Sequence, residues 1–205
     1  MSRSLVLLVV LATSFSFVSL DAQQRTRFGF AIGRGLPAGD TRTLIDVNGD
    51  TATGSGQAGR HLRAFVETPL GSPSFGFRGE LFYNRLTSSS NTVAVVNGRT
   101  AKAALKDETL GLMGSFIGTF GPRARVAPYF LVGAGVVRSK LGTNPDPVST
   151  DVARTDGGTG LGLQVGTGLR WRLGRTELQF EWRYNQVLNN TRGTAFWPLT
   201  IGITF

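Results

Sequence analysis

The chain has 205 residues, 40% of them hydrophobic and only 17% charged, with 28 glycines, no cysteine and a formal charge of +9. That length suits one domain better than two. The lack of cysteine excludes a disulfide framework and a lipidated cysteine, and no polar low-complexity tract points to disorder. The positive balance favours anionic partners, phosphorylated lipid before nucleic acid in an exported chain; a solvated basic surface is the bland alternative.

Residues 1–22 are laid out as a secretory signal. Arg3 supplies the positive start, Leu5 to Ala12 the apolar stretch, and Asp21-Ala22-Gln23 a cleavage region, with Leu20 in a place usually held by a smaller residue. Thr13, Ser14 and Ser16 interrupt the apolar run before it reaches the ~18 residues of a membrane helix. Residues 23–205 are then the mature domain, exported by the general secretory route.

From there on a period of two dominates. Phe28, Phe30 and Ile32 alternate with Gly29, Ala31 and Gly33, and Leu62, Ala64 and Val66 with His61, Arg63, Phe65 and Glu67. Phe75, Phe77, Gly79, Leu81 and Tyr83 alternate with Gly76, Arg78, Glu80, Phe82 and Asn84; Leu110, Leu112 and Phe116 alternate with Gly111, Met113 and Ser115. Next, Tyr129, Leu131 and Val137 form an apolar face together with Gly133 and Gly135. Leu161, Leu163, Val165, Leu169 and Trp171 oppose Gly162, Gln164 and Arg170; Leu178, Phe180, Trp182 and Tyr184 oppose Glu177, Gln179, Glu181 and Arg183. Last, Trp197, Leu199, Ile201, Ile203 and Phe205 oppose Thr200, Gly202 and Thr204. Each apolar face is long enough for a tilted strand to cross a bilayer.

Long connections near 37–58, 87–107, 139–157 and 188–195 alternate with short ones near 68–74, 120–127 and 172–175. This predicts an all-β fold: an eight-stranded, antiparallel, up-and-down transmembrane β-barrel with long extracellular loops and short periplasmic turns. Asn97-Gly98 after Val93–Val96 signals a hairpin, so the third and fourth strands are expected to protrude as a ribbon over 87–107; Asn48-Gly49 is a weaker signal of the same kind.

The polar faces carry both charge signs at similar depth: Arg63, Glu67, Arg78, Glu80, Arg170, Glu177, Glu181 and Arg183. Unpaired, they would be costly in a narrow interior, so a hydrogen-bonded lumen network is expected. Aromatic residues gather at strand ends, with Tyr83, Tyr184 and Trp197 at the long-loop side and Phe75, Tyr129, Trp171 and Phe205 at the short-turn side, as in two headgroup belts.

The final strand, with Leu199, Ile201, Ile203 and terminal Phe205, resembles the C-terminal signal of bacterial outer-membrane barrels. The whole stretch from Arg25 onward is similar to small barrels of the OmpX and OmpA-transmembrane-domain type. That resemblance implies an outer-membrane location, recognition of the last strand by the barrel assembly machinery, periplasmic chaperones during biogenesis, surrounding lipid and lipopolysaccharide, and no periplasmic domain after the barrel.

Motifs for chemistry are weak. Gly54-x-Gly56-x-x-Gly59 spells a dinucleotide fingerprint without the strand and helix it needs. Asp46-x-Asn48-x-Asp50 begins like a calcium loop, but Thr51 and Gln57 stand where glycine and glutamate belong. His61 is the only histidine, on the polar face, with no serine beside it. Arg42, Arg60, Arg85, Arg99, Lys102, Lys106, Arg138, Lys140, Arg154 and Arg192 recur at the long-loop end, placed either to pair with lipopolysaccharide phosphates or to be solvated. The expected function is therefore structural, adhesive or surface-interacting, with no enzyme activity, no cofactor, no metal, no nucleic acid and no open pore. A surface partner would be reached through 87–107. The alternatives are a membrane-embedded lipid A-modifying enzyme that uses His61 and a secreted lipocalin-like barrel.

Overall fold

The computed structural model describes residues 26–38, 42–45, 51–54, 56–88, 93–96, 99–145, 155–188 and 194–205. The secretory-signal segment, the Asp46–Asp50 stretch and both Asn-Gly pairs lie outside the described residues. Eight long strands make the body: β1 (Arg27–Pro37), β4 (Gly56–Leu70), β5 (Ser72–Ser88), β7 (Arg99–Thr119), β8 (Val126–Pro145), β9 (Thr155–Leu173), β10 (Thr176–Leu188) and β11 (Thr194–Thr204). Three four-residue strands, β2 (Arg42–Ile45), β3 (Thr51–Gly54) and β6 (Val93–Val96), lie in the connections. Among the described residues no helix is long and apolar enough to cross a membrane.

All eight long strands pair antiparallel with their neighbours, and β1 pairs with both β4 and β11, so the sheet closes. Closure leaves the body of the barrel without an edge, the condition for strands to sit in hydrocarbon. Following the paired residues once around, from Phe75 through Gly118, Phe130, Thr167, Trp182, Leu199, Arg34 and Arg60, returns to β5 at Arg85. This ten-residue stagger over eight strands implies a tilt of about 40° and an axial height of about 25 Å between Phe75 and Arg85. An outer-membrane apolar band has that height.

Three short turns close one end, and each carries a glycine with positive φ: Gly71 (64°), Gly121 (58°) and Gly174 (68°). Side chains rarely adopt that conformation, so glycine lets the strands reverse abruptly. The other end differs from expectation in extent. β7 and β8 stay paired out to Ala103↔Pro145, so much of the expected 87–107 and 139–157 loops is ladder. The sequence does not alternate there, yet the backbone ladder continues, since its bonds do not depend on side-chain type.

β6 and β7 pair antiparallel, with Val96 opposite Arg99. The ribbon edge expected to be open is nonetheless occupied: β6 also pairs with β3, and β3 with β2. Gly56 and Gly59 lie inside strand β4, not before a helix.

Across the middle of the eight long strands the outward set is apolar, including Phe30, Leu81, Leu112, Val132, Val165, Phe180 and Ile201, all exposed. One strand has the opposite parity from expectation. Tyr129, Leu131 and Val137 point into the lumen at 1%, 0% and 1% exposure, while Phe130, Val132 and Val136 face out. Tyr129 thus leaves the short-turn aromatic belt. Both faces of β8 are apolar, so its alternation carries no sign. Direction is set by what its neighbours hold, and Leu131 stands opposite the inward Ile117. Aromatic rings also cover glycines directly across the ladder, Phe65 over Gly29, Phe82 over Gly111 and Phe130 over Gly118, restoring packing where no side chain exists.

The corrected parity is checked with Val132→Arg, which faces lipid in mid-band and is expected to lower unfolding free energy in vesicles by about 2–4 kcal/mol. Full stability, as for a lumen position, would restore the inverted assignment.

Candidate functional site: the charged lumen

Inward positions of β4, β5, β9 and β10 carry Arg63, Glu67, Arg78, Glu80, Arg170, Glu177, Glu181 and Arg183, all buried. In the closed order β5 lies opposite β10, and β4 opposite β9. The narrow lumen lets their side chains meet across its diameter.

Arg78 is the hub. Its Nε and Nη2 donate to Glu67 Oε2 at 3.3 and 3.1 Å, its Nη1 to Glu181 Oε2 at 2.7 Å, and its Nη2 also to Gln179 Oε1 at 3.1 Å. Glu67 Oε1 lies 2.7 Å from Arg170 Nη1 on the opposite wall. Glu181 Oε1 meets Arg63 Nη1 at 2.6 Å and accepts from Arg183 Nε. Glu80 accepts from both terminal nitrogens of Arg183, Nη2 at 2.8 Å, and lies 3.5 Å from Arg63 Nη1. Nearer the short turns, Glu177 takes Arg27 Nη1 at 2.6 Å and Arg172 Nε at 3.1 Å.

Neutral groups complete the set. Tyr129 Oη donates to Glu181 Oε2 at 2.5 Å, which explains how a tyrosine is accommodated inside. Gln179 Nε2 donates to Thr204 Oγ1 at 2.8 Å. Gln164 accepts from Arg183 at 2.9 Å and donates to Ser115 Oγ at 2.5 Å. The guanidinium of Arg78 lies 4.5 Å from the Phe65 ring centroid, and that of Arg170 lies 4.6 Å from the Tyr129 ring, both within cation–π range. Arg63, Arg78, Arg170 and Arg183 thus share Glu67, Glu80 and Glu181, while Glu177 pairs with Arg27 and Arg172.

Toward the long connections the lumen changes character. Phe82, Leu86, Met113, Val137, Val187 and Phe196 form an apolar cluster. His61 stacks on Phe82 with ring centroids 5.6 Å apart, and its Nδ1 lies 3.4 Å from Asn84 Oδ1. The histidine contributes to a cap of rings above the ion pairs. Gln164, Gln179 and Tyr129 are full members of the site that charge alone does not mark; the glutamines alternate with apolar residues in the sequence, whereas on β8 the pattern places Tyr129 on the wrong face.

At the last strand, Leu199, Ile201, Ile203 and Phe205 face outward and exposed, and the Phe205 N–H donates to Phe28 O at 2.8 Å.

Residues 7–205 match the family described as outer membrane protein beta-barrel domain. The chain belongs to that family. Its place is the bacterial outer membrane, and the apolar faces of its strands accordingly meet lipid. The fold is similar to OprG from Pseudomonas aeruginosa, at TM-score 0.56 and 12% identity, covering 91% of this chain and 99% of that one. Neisserial surface protein A gives 0.54 and 16%, covering 87% and 94%, and Ail, the attachment invasion locus protein of Yersinia pestis, gives 0.50 and 14%, covering 88% and 99%. No curated protein matches the chain in sequence.

Glu181→Ala takes one carboxylate partner from Arg63, Arg78 and Arg183 at once, leaving Glu67 to hold Arg78 and Glu80 to hold the other two. It is expected to cost about 3–5 kcal/mol of unfolding free energy, the loss typical of one partner removed from a buried pair. Denaturant titration of the barrel in vesicles measures it, and a loss below about 1 kcal/mol would mean the surrounding groups are not held by this carboxylate.

Proposed function

We propose that the protein is a sealed, non-catalytic outer-membrane barrel that acts through what it displays at its long-connection end. The observation that carries this reading is the contact of Arg78 with Glu181 from opposite walls, below a cap of Phe82, Phe196 and His61. Salt links across the diameter obstruct an aqueous path, and the apolar layer above is unfavourable to ions, which supports a sealed lumen. His61 has no assigned reaction: its ring contacts here are Asn84, Phe82 and Phe196. An outward-facing lipid-modifying site would need it on the other side of the wall.

In this reading residues 1–22 direct export. Leu199, Ile201, Ile203 and Phe205 are the strand recognised by the barrel assembly machinery, with periplasmic chaperones acting beforehand. The eight lumen charges are structural. The display end includes the small sheet β2-β3-β6-β7. With β6 already paired on both sides, strand addition would use the outer edge of β2. Two of the similar structures are named as a surface protein and as an attachment invasion locus protein, and those names support this reading.

Planar-bilayer recording tests the seal: purified barrel is expected to give no sustained conductance steps, and steady porin-like openings would overturn the reading. Display is tested by deleting residues 91–104, which removes β6 and its hairpin. Adhesion of expressing cells to protein-coated surfaces is expected to fall while heat-dependent gel mobility of the barrel persists; unchanged adhesion would remove this segment from the function.

A further inference from the structure

Among the described residues, the outer wall at the long-connection end is charged on one side only. Arg34 pairs in register with Arg60, Arg60 with Arg85, Arg85 with Glu108, and Glu108 with Lys140, so one row crosses β1, β4, β5, β7 and β8. Arg138 stands just below Lys140, opposite Leu110. Arg34, Arg60, Arg85, Glu108 and Arg138 each stand next to a buried residue and so point away from the lumen, and Lys140 shares the parity of Arg138. The one acid, Glu108, lies 3.7 Å from Arg85. Arg34 and Arg60 have no carboxylate partner among the described residues. Outward positions at this height on the other wall, Thr159, Leu161, Gln186, Leu188 and Ala195, carry no charge; just below them Trp182, Trp197 and Tyr184 stack on one another.

Three arginines abreast on neighbouring strands repel one another, because like charges directly opposite destabilise a ladder. An anion lying across them reverses that sign. The stagger of the barrel raises each strand step by about 3 Å, so Arg34 stands level with Tyr83 and Arg85 about 6 Å higher. The row therefore climbs through the headgroup region of the outer leaflet. Directly beneath it the wall is apolar and exposed: Ile32, Leu62 and Leu110, then Phe30 and Leu81. Charge above and a broad greasy wall below fit an amphiphile, not a free ion.

We infer that Arg34, Arg60 and Arg85 form a lateral binding site for the phosphates of an outer-leaflet glycolipid of the lipid A type, whose acyl chains lie along β1, β4 and β5. Guanidinium forks suit phosphate oxygens, and several bidentate contacts from one row give the site its selectivity. The inference rests on the long connections facing outward and is independent of the sealed-lumen reading. A conducting barrel that still held the glycolipid would remove one and leave the other.

The test uses the full barrel in phosphatidylcholine nanodiscs doped with bisphosphorylated lipid A, with glycolipid retained per barrel read by native mass spectrometry. R34Q/R60Q/R85Q is expected to retain the probe at least about tenfold more weakly, taking each basic side chain at a membrane surface as worth roughly fivefold. A pair at the other end, R123Q/R175Q, is expected to behave as the native barrel. Dephosphorylated lipid A should be held equally by native and triple variant, and added inorganic phosphate should not displace the bound probe. Equal retention of bisphosphorylated lipid A by native and triple variant would overturn the assignment. So would an equal loss in R123Q/R175Q, or displacement by inorganic phosphate. Heat-dependent gel mobility verifies insertion. Should the triple variant fail to insert, R60Q alone decides, with roughly a fivefold loss expected and no loss counting against the site.

Discussion

The architecture depends on a lumen no wider than the side chains that fill it. Eight strands closed with a ten-residue stagger bring β5 and β10 face to face, and whatever points inward from one must be answered from the other. Arg78 meets that constraint by reaching Glu181 across the barrel while holding Glu67 on the neighbouring strand. Buried pairs of this kind add little net stability over a well-packed apolar alternative, since desolvation offsets most of their attraction. They do make any one member costly to lose. A shift of one strand by one residue would turn Arg78, Glu181 or Glu67 toward lipid, so the network penalises wrong registers far more than it rewards the right one.

Most of this was legible in the sequence wherever the two faces of a strand differ. On β10, Leu178, Phe180 and Trp182 against Glu177, Gln179 and Glu181 leave one sensible arrangement once lipid is outside, and the structure has it. On β8 both faces are apolar, and periodicity gives the strand without its direction. Tyr129 was therefore assigned to an interfacial belt, when its hydroxyl serves a carboxylate in the lumen. The pairings among Arg63, Glu80, Glu181 and Arg183 depend on strand order and stagger, neither of which a linear pattern reports. The row Arg34–Arg60–Arg85 was hidden for the same reason: its members are far apart along the chain and meet only through register. Arg34 in particular sits in a glycine-rich strand at no loop border, so a search of the loops for basic residues passes over it.

The outer ends of β7 and β8 show the complementary failure. Outside the hydrocarbon both faces of a strand meet water, so alternation is no longer selected and composition looks like loop. Backbone pairing continues there, because an N–H or C=O needs a partner whatever the side chains are. The short strands extend the same logic sideways: β6 pairs with the outer part of β7, β3 with β6, and β2 with β3. The exposed ribbon edge thus gains partners within the chain, one of the ways natural sheets avoid edge-to-edge association.

The polar lumen also bears on how such a chain reaches its membrane. An outer-membrane protein must first cross the inner one, where a run of about 20 apolar residues would be retained as a helix. Filling the barrel with aliphatic side chains would make each strand apolar on both faces and bring β9 or β10 close to such a run. Arg170, Glu177, Glu181 and Arg183 break those runs every second residue, and only closure of the sheet returns the apolar faces to lipid while pairing the charges inside. The ion pairs that contribute little net stability to the folded barrel are therefore consistent with a chain kept polar enough, before it folds, to pass through one membrane and enter another.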